Sequence, residues 1–408
     1  MVKVGIDDLN LYGSTLAIDF SEIKLARNFS DKEFNKTRFT RRSVVPTYED
    51  SITLAANAAK PIVDKVGAEQ FALLIVATET GVDYGKPLSS YVHRYLGLKS
   101  SCRNFEIKHA CYAGTAGLQT AASFLGAGNI SPDKKVLLVM TDIGRQHFHD
   151  PSELSAGTGA IALSISLNPK VFELEVPSGS AAHEVFDTAR PTQASGWLDP
   201  VLSLCSYLDL LEIAWHDYQR AVGPVAYEDY FTHIIYHTPF ISLIEKAHQT
   251  LVESNVQDVT KDELAASFER MVAPSLRYSR ELANIYSGSL YVALAGLLES
   301  ATDLRPGNRI GCFSYGSGAC AEFFSGLVCQ DARSILANQH IRERLAARYS
   351  ISLKEYEAAV SGVEQGFTQA NFVPDWDAPA GHYERAYRGK GLLVLDKVNN
   401  HYRSYKWS

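Results

Sequence analysis

Short continuous apolar runs at 71–77, 136–140, 161–165, 233–236 and 310–313 alternate along the chain with helix-length segments such as 112–125 and 290–301. Strands that are apolar throughout, separated by helices, predict a sheet covered on both faces and so a parallel-rich α/β architecture. The hexamer Gly157-Thr158-Gly159-Ala160-Ile161-Ala162 is echoed by Gly316-Ser317-Gly318-Ala319-Cys320-Ala321. Such an echo suits two duplicated halves, and suits equally the small residues a loop needs where it enters a close-packed strand. No low-complexity stretch or Pro/Gly-rich linker divides the chain, which predicts one compact body. Beyond residue 331 the sequence becomes more charged, with amphipathic helices predicted around 335–345 and 353–360 as a peripheral cover.

Composition narrows the class. At 408 residues, 46% hydrophobic and 21% charged, the chain can build sizeable cores. A formal net charge of −7 opposes nucleic-acid and anionic-membrane binding. No apolar run approaches the roughly 18 residues that span a bilayer. The opening MVKVGIDDLNLYGS carries acids where a secretory signal needs an apolar core, so a cytoplasmic location is expected. Six cysteines without a CxxC or a histidine-rich pairing predict neither a disulfide framework nor a metal site. What remains open is whether one thiol is reactive.

Cys111 stands between a short alternating stretch and Tyr112-Ala-Gly-Thr-Ala-Gly-Leu-Gln-Thr-Ala-Ala122, a helix of small residues. A thiol at a helix start meets free N–H groups and the positive dipole end, which favour thiolate; an ordinary buried cysteine fits the same local pattern. Glu79, in Val76-Ala-Thr-Glu-Thr-Gly-Val-Asp83, lies just past an apolar strand, as a catalytic base or as a solvated turn carboxylate. His237 ends the strand-like run before Pro239 and can offer a ring N–H to a carbonyl oxygen, or serve structurally. Asn284 precedes a second small-residue helix, where it orients His237 or caps the helix. Gly316-Ser317-Gly318 forms a tight turn able to present a backbone N–H to an oxyanion.

Taken together and in this order, Ala-Thr-Glu-Thr-Gly-Val-Asp with Glu79, Lys-His-Ala-Cys-Tyr-Ala-Gly-Thr-Ala-Gly with Cys111, Tyr-His-Thr-Pro-Phe with His237, Asn284 before Ser-Gly-Ser-Leu-Tyr, and Phe-Ser-Tyr-Gly-Ser-Gly from Phe313 closely resemble the hydroxymethylglutaryl-CoA synthase family. The resemblance runs nearly end to end. It implies a thiolase-like fold, two pseudo-repeated halves in a layered α-β-α-β-α body, and commonly a homodimer. Residues 1–168 would form the half carrying the nucleophile, 169–330 the second half with an insertion, and 331–408 the cover.

Five stretches are similar to the branch that installs β-branches on carrier-bound polyketides: 46–50 with 57–62, 85–91, 186–191, 202–209 and 246–248. Members that make hydroxymethylglutaryl-CoA usually carry a CoA-holding lysine where this chain has Ser242, and a tyrosine where it has Gln146. Two features depart from the branch: a short loop from Gln146, and Leu154 in place of a proline.

The resemblance implies acetylation of Cys111, enolate formation by Glu79, and addition to a β-ketoacyl thioester polarised by His237, with Asn284, Ser317 and Gly316 lining the substrate. Hydrolysis of the acyl-cysteine follows. It implies no bound cofactor or metal, phosphopantetheine-linked substrates, and donor and acceptor acyl carrier proteins as partners. The same chemistry on acetyl-CoA and acetoacetyl-CoA is the main alternative. The cationic run Lys36-Thr-Arg-Phe-Thr-Arg-Arg42, with Arg38, Arg41 and Arg42, is a candidate carrier-docking patch on an otherwise acidic chain.

Overall fold

The computed structural model describes residues 3–145, 147–191 and 196–408. Strand Gly5–Tyr12 lies in the middle of a nine-stranded sheet. Outward on one side run Thr158–Ser166, Lys135–Ile143, Phe71–Ala77 and the edge strand Arg103–Ile107. On the other side run Phe172–Ala182, Cys320–Val328, Arg309–Gly316 and His233–Tyr236.

The two arms repeat one topology. From the centre outward, the first arm pairs antiparallel, antiparallel, then parallel, through Gly5–Tyr12, Thr158–Ser166, Lys135–Ile143 and Phe71–Ala77. The second repeats those directions through Phe172–Ala182, Cys320–Val328, Arg309–Gly316 and His233–Tyr236. The echoed glycine hexamers fall at equivalent points, each leading into the strand that pairs with the innermost one. Within the sheet, the arms pair through Gly5 and Ile6 against Glu173 and Phe172.

Alternation of side chains builds the layers. Ile75, Leu138 and Leu163 from one arm and Ile235, Ile310 and Cys312 from the other share a core with helices Ala113–Gly126 and Ser289–Ser300. Leu74, Val76, Leu137 and Val139 turn the other way, onto helix Ser51–Val66. Ile234, Tyr236, Phe313 and Phe323 face helices Pro200–Val222 and Ile241–Asn255. The result is the α-β-α-β-α arrangement of a thiolase-like fold. Glycines let the central helix fit: a Cβ on Gly114 would lie 2.8 Å from Met140 Sδ, and one on Gly117 2.6 Å from Leu138 Cδ1.

Two expectations change. The sheet is not parallel-rich, since five of its eight pairings are antiparallel. Its strands are apolar throughout because helices cover both faces, whichever way the neighbours run. The helix predicted at 335–345 is two short ones, Ala332–Ala337 and Ile341–Ala346, broken where His340 adopts a left-handed φ of 48°. Helix Leu353–Thr368 extends the predicted 353–360 segment. No helix among the described residues is long and apolar enough to cross a membrane.

Candidate active site

Loops at the strand ends bring the chemistry together. Glu79 lies two residues beyond strand Phe71–Ala77, His237 directly beyond His233–Tyr236, and Cys111 two residues before helix Ala113–Gly126. Cys111 Sγ is 3.9 Å from Glu79 Oε2. Gly316 ends its strand against the nucleophile loop, so closely that a Cβ there would lie 2.5 Å from Tyr112 N and 2.8 Å from His109 O.

Asp142, at the end of strand Lys135–Ile143, fixes the Glu79 turn. Its fully buried Oδ1 accepts from Thr78 Oγ1 (2.9 Å), Glu79 N (2.9 Å), Thr80 N (3.1 Å) and Thr80 Oγ1 (2.8 Å). Its Oδ2 accepts from Ser287 N (3.1 Å) and Ser287 Oγ (2.6 Å), tying in the turn before the other central helix. One carboxylate thereby pins loops from both arms.

Burial, with Asp142 adding to it, pushes the Glu79 carboxyl up to about 7, against the opposing pull of Arg190 Nη2 at 3.6 Å. Cys111 keeps part of its surface open, yet burial of its sulfur and the carboxylates of Glu79, Asp142 and Asp187 push the thiol well above its ordinary range. The helix start behind it acts in the opposite sense and does not dominate. The resting thiol therefore keeps its proton, and Glu79 is the adjacent acceptor for it.

His237 is buried, its backbone N–H donating to Phe313 O (2.8 Å) and its carbonyl accepting from Tyr207 OH (2.7 Å). Burial pushes the imidazole down to about 3, so the ring is neutral at physiological pH, and its Nδ1 has no hydrogen-bond partner among the described residues. The expectation that Asn284 orients this ring does not hold in the geometry. Asn284 Oδ1 accepts from Tyr286 N (2.9 Å) and Ser289 Oγ (2.8 Å), and its backbone pairs with Ser155 and Gly157. No hydrogen bond links it to His237 among the described residues. Beside Ser317, Gly318 N–H donates to Asp187 Oδ1 (2.9 Å) and Tyr315 OH to Oδ2 (3.2 Å).

Asp142, Asp187, Arg190 and Tyr207 were not singled out from the sequence. Asp142 carried the same signal as Glu79, an acid closing an apolar strand, while the other three lie inside the branch-like stretches 186–191 and 202–209.

The cationic run does not form one docking patch. Arg42 is 3% exposed, donating to Tyr356 OH (3.1 Å) and Gly144 O (3.0 Å), so it drops out of any surface contact. Arg41 is turned towards Asp19 at 3.3 Å and Ser350 Oγ at 2.9 Å. Arg38 is the exposed member, paired with Glu245. Ser242 stands in the first turn of helix Ile241–Asn255, and Leu154 is buried; Gln146 lies outside the described residues. No cluster of three or more His, Cys, Asp or Glu side chains suited to a metal occurs among the described residues.

Comparison with known proteins adds to this geometry. Residues 249–407 match the family pattern described as hydroxymethylglutaryl-coenzyme A synthase C terminal. The chain is 36% identical to the polyketide biosynthesis 3-hydroxy-3-methylglutaryl-ACP synthase PksG of Bacillus subtilis (strain 168), across the full length of both. It is 34% identical to a hydroxymethylglutaryl-CoA synthase of Enterococcus faecalis, over 88% of this chain and 91% of that protein. The solved structure of the curacin biosynthetic pathway HMG synthase in complex with acetyl donor-ACP superimposes with a TM-score of 0.94 at 36% identity, covering 100% of both chains.

Proposed function

The chain belongs to the hydroxymethylglutaryl-CoA synthase family, and from that premise we propose that it condenses an acetyl group with a β-ketoacyl thioester on an acyl carrier protein, as a step in polyketide β-branching. The contact of Cys111 with Glu79 at 3.9 Å carries this reading. Glu79 accepts the thiol proton, and the thiolate attacks the acetyl thioester of a donor carrier. Backbone N–H groups near Cys111 and Ser317 stabilise the oxyanion, and protonated Glu79 gives its proton to the departing carrier sulfur, which leaves as the thiol. Glu79 then removes a methyl proton, and the enolate adds to the acceptor's β-ketone.

The neutral His237 ring hydrogen-bonds that ketone oxygen, and protonated Glu79 returns its proton to the alkoxide. Water hydrolyses the acyl-cysteine. Residues 1–168 supply the nucleophile and base in this reading, 169–330 supply His237 and Ser317, and 331–408 cover them. Donor and acceptor carriers are the partners, in the cytoplasm. A homodimer forms through a sheet edge such as Arg103–Ile107, whose outer side has no strand partner among the described residues.

The reading is tested by incubating the enzyme with acetyl-carrier and acetoacetyl-carrier and weighing the intact carriers. The acceptor should gain one acetic acid equivalent while the donor returns to free thiol. The relative from Enterococcus faecalis keeps a second reading in view, with acetyl-CoA and acetoacetyl-CoA as substrates. Efficient turnover of that pair, with no gain on the acceptor carrier, would favour it.

A further inference from the structure

Arg145 is an anomaly in this interior. Only 6% exposed, it stacks over the Phe367 ring at 4.2 Å, and its Nε and Nη1 have no hydrogen-bond partner among the described residues. Glu364 attracts it electrostatically but is exposed and makes no ion pair with it among the described residues. Two other buried arginines pair with carboxylates, Arg348 with Glu281 at 2.9 Å and Arg403 with Asp50 at 3.0 Å, while Arg42 bonds the neutral oxygens of Tyr356 and Gly144. A buried guanidinium with no anion in ion-pair contact is costly. The backbone holds the residue in place, since Gly144 N donates to Gly157 O (2.7 Å) while Gly144 O accepts from Arg42 Nη2.

Arg190 lies close enough for the two charges to repel. Its Nη1 is likewise buried and without a hydrogen-bond partner among the described residues, and its Nη2 stands 3.6 Å from Glu79 Oε1, too far for a good hydrogen bond. The Arg190 fork thus stands beside the carboxyl that touches Cys111, with the Arg145 fork in electrostatic reach of Arg190, and both carry unused N–H groups. Planar forks of this kind suit a carboxylate.

We propose that Arg145 and Arg190 form a cradle for the carboxylate released when the acyl-cysteine is hydrolysed. The inference rests on the condensation reading above. In that step water adds to the thioester carbonyl, the new C–O bond replaces the C–S bond, sulfur leaves as the thiol with one proton, and the second proton goes to solvent. A carboxylate is left where the acyl group stood. The acetyl donor and β-ketoacyl acceptor bring no carboxylate, so the cradle acts on the last step alone. It offsets the repulsion between the new anion and Glu79.

The test uses 3-hydroxy-3-methylglutarate and its dimethyl ester as probes on the full-length enzyme, reading protection of Cys111 from iodoacetamide at fixed pH. The diacid should protect and raise the melting temperature, and the ester should do neither. Arg145→Gln should raise the half-protecting diacid concentration at least tenfold, with Arg145→Lys recovering part of it. Because Arg145→Gln removes a buried charge that has no ion-pair partner among the described residues, it should melt no lower than wild type. Equal protection by diacid and ester, wild-type diacid affinity in Arg145→Gln, or a variant that fails to fold would each overturn the cradle. Acetylation of wild-type Cys111 from acetyl-carrier, followed by mass spectrometry in the same preparations, reports on the condensation reading separately. Its absence would sink that reading whatever the probes do.

Discussion

Glu79 and His237 occupy matching places in the two arms, each just beyond the strand that runs parallel to its arm's third strand. His237 is buried and Glu79 largely so, and burial disfavours charge on either. The same cause moves them in opposite directions, Glu79 up to about 7 and His237 down to about 3. One arm thereby acquires a carboxylate that exchanges protons near neutrality, and the other an uncharged ring fit only to hydrogen-bond. The repeated topology supplies equivalent positions; residue type decides which chemistry each performs.

The glycine turns extend the comparison, because each braces the other arm. A Cβ on Gly157 would lie 2.6 Å from Asn284 O, while one on Gly316 would meet Tyr112 N at 2.5 Å. Both turns hold the loop before a central helix. Only one of those loops carries a nucleophile.

Substitutions can break this asymmetry, beginning with the largest effect. Cys111→Ser should abolish covalent acylation while the fold persists, as intact mass and melting will report; a stable adduct on the variant, or on another cysteine of the native protein, would defeat the assignment. Glu79→Ala should still acetylate but exchange the acetyl methyl protons with deuterium about 10²–10⁴-fold more slowly. Unchanged exchange would remove Glu79 as the base.

The two braces separate next. Gly316→Ala and Gly157→Ala should each cost about 1–3 kcal/mol in denaturant unfolding from overpacking, but only Gly316→Ala should also slow acetylation, since its new methyl presses on Tyr112. Equal acetylation rates in both would mean that the brace does not position Cys111. A fourth test uses pH. Glu79 works as a base only when ionised, so methyl exchange should rise with pH through about 7 and show no histidine step above about 3. Arg190→Gln removes the cation that favours the ionised form and should move that rise to higher pH.

The smallest effect is at the surface. Arg38→Glu should slow acetylation from a carrier a few-fold at low salt and leave a short acetyl-pantetheine donor unaffected, since exposed pairs contribute only about 0–1 kcal/mol.

Much of this was legible in the chain. The apolar runs located five strands, and Cys111, Glu79 and His237 each stood at an element end with the residue type its chemistry needs. The central strand Gly5–Tyr12 was hidden because Asp7, Asp8 and Asn10 interrupt it. Those polar groups are buried and paired with Lys135, Lys65 and Ala58 O, partners remote in sequence. For the same reason Arg42 was taken for a surface cation, whereas Asn284 stood open between two readings until its local partners Tyr286 and Ser289 were placed. Helix-cap and docking residues look alike until the fold shows what lies opposite them.

The account stands most directly on where the acetyl group goes and what delivers it. Brief incubation with acetyl-carrier or with acetyl-CoA at equal concentration, followed by acid quench and peptide mass spectrometry, measures both. The account predicts acetyl on the Cys111 peptide, formed much faster from the carrier. Acetyl on another residue, or equal or faster labelling from acetyl-CoA, would contradict it.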